Sequence, residues 1–243
     1  MRRWSNSKVQ AFADHISVER NRFSDTAADN SFAFSLGCIF KRYVTVWKLR
    51  DRSLPLIEVA THYFQRTHAL QASGETFDWV EHTAQIDVQA EIEMNFECFF
   101  LYGSILCDEI SHLLLHLFGQ VRGIKVGGHR VFSKNAERYF EKLEMQFNKD
   151  LIELAQFLEE NLCDFRDKQI VHDFHPRKTD GLTFIQATPD VCLSAAGFIY
   201  PKATDYSTTS KPWNELMTAL DRYVWLILDT IKTNHSRLVA ARS

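Results

Sequence analysis

The stretch that decides the fold is EIEMNFECFFLYGSILCDEISHLLLHLF, running from Glu91 to Phe118. Apolar residues fall at Ile92, Phe96, Phe99, Leu106, Ile110, Leu113 and Leu117, with Gly103 at the missing step. Intervals of four and three alternate, which is one face of an α-helix and not the every-second-residue pattern of a strand. Phe100, Leu101, Leu114 and Leu115 lie off that stripe. A helix from about Thr83 to Phe118 is therefore apolar on more than one side, and it is either central in a bundle or shared with a second subunit. Gly119 is expected to stop it.

Composition agrees. Only 9 Gly and 5 Pro occur in 243 residues, too few turn-formers for many short strands joined every ~8–12 positions. With 45% hydrophobic and 24% charged residues, the chain falls among soluble globular proteins and outside disordered or collagen-like ones. A net charge of −3 argues against coating nucleic acid non-specifically, because that affinity comes from cations neutralising phosphates. The five cysteines, Cys38, Cys98, Cys107, Cys163 and Cys192, include no CxxC pair, so free, mostly buried thiols in a reducing compartment are expected. The N-terminal residues lack a signal-peptide core. The early apolar segment Phe32 to Phe40 is cut off by Lys41 and Arg42, short of the ~20 residues a membrane span needs. A cytoplasmic location without membrane contact is the expectation.

Outside the central helix, residues 1–84 read as an N-terminal helical extension packed on a bundle formed by residues 85–243. Helices are expected over roughly 7–22, 31–50 and 55–71, with breaks near Asp29-Asn30 and Ser53-Leu54-Pro55. Residues 119–130 are a Gly-rich basic connection, read as a flexible linker because it lacks the Gly-Lys-Ser/Thr ending of a phosphate-binding loop. The window 119–142 sets Arg122, Lys125, Arg130, Lys134, Arg138 and Lys142 against Glu137 and Glu141, a strongly basic part of the chain. Ser133 is the expected N-cap of the following helix. A second core stripe follows at Leu151, Leu154, Leu158, Leu162 and Phe165, and His175-Pro176 ends that helix. Leu182 to Tyr200 reads as a short β-rich excursion. A last helix, lined by Leu216, Leu220, Tyr223, Ile227 and Ile231, begins near Pro212.

Searches for chemistry leave one principal candidate. Glu109, His112 and His116 hold half of a bundle di-metal signature, but no other Glu in the chain has a His three residues on, and such sites need two. No metal or cofactor is therefore expected, with a metal-binding bundle around those three residues kept as an alternative. Serine- and cysteine-nucleophile motifs are absent. The remaining cluster is Phe165-Arg-Asp-Lys-Gln-Ile-Val-His-Asp-Phe-His-Pro176, which gathers Arg, His and Asp where the leucine stripe gives out.

Arg166, Asp167 and His172 resemble, in order and spacing, the arginine–polar–histidine signature of HEPN domains, small helical bundles found in RNA-cleaving toxins and defence nucleases. A second Arg-to-His spacing, Arg122 to His129, is set aside because Gly123 follows the arginine. The resemblance covers about residues 85–235. It implies an up-and-down all-α bundle, a homodimer in which two motifs face one groove, and metal-independent endoribonuclease activity. In that role His172 is general acid/base, Arg166 stabilises the phosphate and Asp167 orients the pair. Lys168, His175, Arg177 and Lys178 are the expected RNA contacts, and an antitoxin or other protein partner is a further expectation. The alternative within the same resemblance is a non-catalytic module that binds a protein, nucleotide or RNA.

The chemistry suits the residues whatever the family. Histidine titrates near pH ~6.5 and can take or give a proton at neutral pH. Arginine keeps its charge and offers a planar fork to phosphate oxygens. In a straight helix Arg166 and His172 would be about 9 Å apart along the axis and roughly 120° apart around it, so the helix must bend or end between them.

Overall fold

The computed structural model describes residues 10–14, 27–75, 79–164, 166–167 and 213–237. Among these the chain is all-α. Helix α1 spans Ala27–Ser73, α2 Trp79–Phe118, α3 His129–Lys142, α4 Asp150–Leu158 and α5 Trp213–Thr233. A π-helical segment, Glu159–Cys163, continues α4, and a 3-10 turn, His235–Arg237, follows α5. No strand occurs among the described residues, and Val121 and Ile124 form one isolated bridge. The β-rich excursion expected at Leu182 to Tyr200 lies outside the described residues.

These helices form two compact units. The first holds Met1–Trp47, Tyr102–Cys163 and Thr218–Ser243, and the second Lys48–Leu101 and Asp164–Met217. The α2 stripe is buried along its whole length, and Phe100 and Leu114 off the stripe are buried with it. Gly119, at φ 82°, ends the helix as expected. By length and composition α2 can cross a membrane, since an 18-residue window has mean hydropathy 1.4, yet 56% of that window is buried inside the fold.

In the first unit Phe12, Leu36, Ile39, Tyr43 and Val46 bury one face of α1. Leu216 apart, which belongs to the second unit, the expected α5 stripe packs here at Leu220, Tyr223, Ile227 and Ile231. Tyr43 donates its hydroxyl to Asp221 in this core. Burial and that carboxylate push the phenol well above its ordinary pKa. Asn234 closes the chain after α5 onto the α3–α4 connection: its amide accepts from the Gln146 N–H at 2.8 Å and donates to the Gln146 carbonyl at 2.6 Å.

In the second unit, Phe100 packs on Phe96 and Phe99 with ring centroids 4.8 and 5.5 Å apart. Four expectations are corrected here and at α3. Neither the break near Asp29-Asn30 nor the break at Pro55 occurs: α1 starts at Ala27 and runs through both. A proline removes one helical hydrogen bond, but buried Ser53, Ile57 and Ala60 hold both flanks of this stretch in the core. Ser133 is not a cap; it is buried inside α3, four residues after the helix starts. The connection 119–128 is no loose linker either. Ile124 N–H bonds to Val121 C=O at 3.0 Å, Gly123 turns the chain at φ 81°, and Val126 is buried.

Candidate functional site

The first residue of α3 explains why that helix begins where it does. Gly128, at φ 84°, turns the chain into the helix without a side-chain cap of its own. The His129 N–H instead donates to Asp108 Oδ1 of α2 at 2.7 Å. A carboxylate there satisfies an orphan donor and faces the positive end of the helix dipole. The cap is thus supplied from another helix, and it fixes His129 against α2.

The His129 side chain points into the core, 1% exposed. Its Nδ1 lies 3.1 Å from Glu159 Oε2 and 3.7 Å from Cys163 Sγ. Cys107, one turn after Gly103 on α2, completes the group. The ligand atoms of Cys107, His129 and Cys163 all lie within 4.8 Å of one another, and all three residues are buried. The approach of the chains is set at Gly103, where an added Cβ would stand 3.1 Å from Leu162 Cδ2. A side chain at this position would have to push the Leu162 side chain aside, so the glycine eases the close approach of α2 to the π-helical segment. Such segments inside helices recur at functional sites.

Burial disfavours a charged imidazole here, but the hydrogen bonds to Cys163 and Glu159 outweigh it and hold His129 up at about 9. The hydrogen bond from Cys107, with help from His129, holds the Cys163 thiol below its ordinary range, and burial drives Cys107 well up. Tyr223 stands edge-on to the imidazole, with centroids 5.6 Å apart. Two buried polar atoms at this spot, His129 Nε2 and Tyr223 Oη, find no hydrogen-bond partner among the described residues.

A cysteine nucleophile activated by a histidine–glutamate pair is excluded by the geometry. That arrangement needs the thiol and the carboxylate on opposite ring nitrogens, whereas both face Nδ1 here. Nor do Glu109, His112 and His116 form the ligand group. Glu109 pairs with Arg42 at 3.4 Å, and His112 and His116 are exposed.

Of the expected catalytic residues, Arg166 and Asp167 are described. Arg166 Nε and Nη2 both reach Asp167 Oδ1, at 2.8 and 2.6 Å. The arginine side chain is 18% exposed and the aspartate 37%. His172, Lys168, His175, Arg177 and Lys178 lie outside the described residues. A separate cavity of about 410 Å³ is lined by Arg122, Gly123, Ile124, Arg138, Glu141 and Lys142, the centre of the basic window seen in the sequence. Comparison with protein-family models, with curated proteins and with solved structures finds no match.

Proposed function

We propose that this chain is a HEPN-like helical domain that cleaves RNA without a metal ion, acting as a homodimer with toxin- or defence-type activity. The observation that carries the reading is the Arg166–Asp167 pair: a half-buried guanidinium steered by its neighbour, just after the leucine-rich helix changes pitch. The all-α architecture and the long buried helix α2 are consistent with it.

In this reaction the RNA 2′-hydroxyl attacks the adjacent phosphorus and loses its proton to His172. The 5′-oxygen leaves and takes up a proton, giving a 2′,3′-cyclic phosphate and a free 5′-hydroxyl. Arg166 stabilises the extra charge on the phosphoryl oxygens, the largest contribution such a site can make without a metal. Asp167 holds the arginine fork in place. Lys168, His175, Arg177 and Lys178 supply backbone contacts, and Arg122, Arg138 and Lys142 offer a further basic surface for phosphate.

The test is incubation of the full chain with structured RNA in magnesium-free buffer, with EDTA in a parallel reaction. Cleavage that ends in cyclic phosphates, and that falls at least a hundredfold in Arg166→Ala/His172→Ala, is expected. A double variant that cleaves as fast as the native chain refutes the reading. The closed Arg166–Asp167 contact also suits a non-catalytic module, in which the same residues hold a partner protein, nucleotide or RNA. That second reading predicts harmless expression and partner binding that depends on His172 without any change in RNA integrity.

A further inference from the structure

The buried group at the start of α3 has the composition of a metal centre. Two thiols and an imidazole from three separate chain segments converge there, all buried, with the partly exposed Glu159 carboxylate 3.1 Å from the imidazole. We propose that Cys107 Sγ, Cys163 Sγ and His129 Nδ1 bind one zinc ion, with Glu159, whose Oε2 lies 3.1 Å from Nδ1, the nearest carboxylate for the fourth position. It does not rest on the RNA reading.

Zinc bonds of about 2.3 Å to sulfur and 2.0–2.1 Å to nitrogen or oxygen give a tetrahedron with edges of roughly 3.3–3.8 Å. The Nδ1–Sγ separation of 3.7 Å and the Nδ1–Oε2 separation of 3.1 Å match such edges to within a few tenths of an ångström. The donor set matters as much as the spacing. Paired thiolates with imidazole select zinc over the hard cations magnesium and calcium, which take oxygen ligands. Entry of the ion displaces the protons shared among the two thiols and Nδ1, so thiolates, neutral imidazole and carboxylate surround a divalent charge. No electrons move.

The neighbours fit this role. Asp108 receives the His129 backbone N–H at 2.7 Å and so positions the ligand. Tyr223 stands edge-on to the imidazole with its hydroxyl buried in the same core. All the ligand-bearing segments close before the Arg166 motif begins, so the centre is structural: it ties α2, α3 and the end of α4 together. A Cys107–Cys163 disulfide is the competing use of these sulfurs, and the same experiment separates the two.

The full chain is purified under reducing conditions, stripped with a chelator, desalted and titrated with Co²⁺. Saturation at one equivalent is expected, with thiolate-to-cobalt charge-transfer absorption and the intense d–d bands of a tetrahedral ion, all displaced by Zn²⁺. Both features vanish in Cys107→Ser/Cys163→Ser and persist in Cys38→Ser/Cys98→Ser. Should the first variant not fold, the native chain still decides, because one equivalent of Zn²⁺ must raise its Tm by several degrees. A cobalt spectrum without the thiolate band, a band that survives in a folded Cys107→Ser/Cys163→Ser chain, or a Tm indifferent to zinc overturns the proposal.

Discussion

The His129 group and the Arg166 pair are both built from a cation held by an acid, and they differ in access. His129 is 1% exposed and its partner Glu159 14%, whereas Arg166 and Asp167 are 18% and 37% exposed. A polymer substrate cannot reach the first without unfolding the packing around it. The sealed group therefore belongs to the fold, and the open pair is the one suited to meet a phosphate. Burial also makes each interaction worth more, and each loss costlier.

The largest expected effect is therefore at the sealed group. His129→Ala strands Glu159 and opens the buried group, and it should lower unfolding free energy by about 3–5 kcal/mol in urea titrations. A loss below 1 kcal/mol would erase the contrast. Tyr43→Phe tests a second closed polar pair, and it should cost about 1.5–3 kcal/mol because it removes a hydrogen bond to a buried carboxylate. The same pair sets an alkaline limit. The folded-state pKa of Tyr43 is raised, so its contribution is complete below the unfolded value of about 10. Above that pH the unfolded chain gives up the proton while the folded chain keeps it, and stability declines. Tyr43→Phe should flatten that decline in pH-dependent unfolding curves.

Gly103→Leu probes the close approach that assembles the sealed group. A side chain driven into Leu162 should cost about 1–3 kcal/mol, visible as a lower urea midpoint, and a variant as stable as the native chain would mean the approach is not needed. The smallest structural effect belongs to the open pair. Arg166→Ala should change stability by less than about 1 kcal/mol, while RNA cleavage is lost.

How much of this was legible in the sequence follows from the range of the forces involved. The α2 and α5 stripes and the stop at Gly119 are local patterns, and they appear in the fold where periodicity places them. Pro55 and Ser133 misled because a local preference gave way to packing: buried flanks carry α1 through the proline, and Asp108, 21 residues before His129, caps α3 in place of the serine. The Cys107–His129–Cys163 group has no local spacing at all. It is assembled by tertiary contacts, among them the Asp108 cap on His129 and the approach of Gly103 to Leu162, and in the sequence His129 is the far end of a discarded Arg122 pairing. The traces that were present are modest: Cys107 sits one turn from the gap in the α2 stripe, and Cys163 directly follows a stripe leucine.

The RNA reaction itself is tested most directly by one comparison. Native chain and Arg166→Ala/His172→Ala, matched for folded content by circular dichroism, are mixed with the same end-labelled structured RNA in magnesium-free buffer. The account predicts discrete fragments with cyclic phosphate ends from the native chain and intact RNA from the variant. Equal cleavage by both, or none by the native chain, contradicts it.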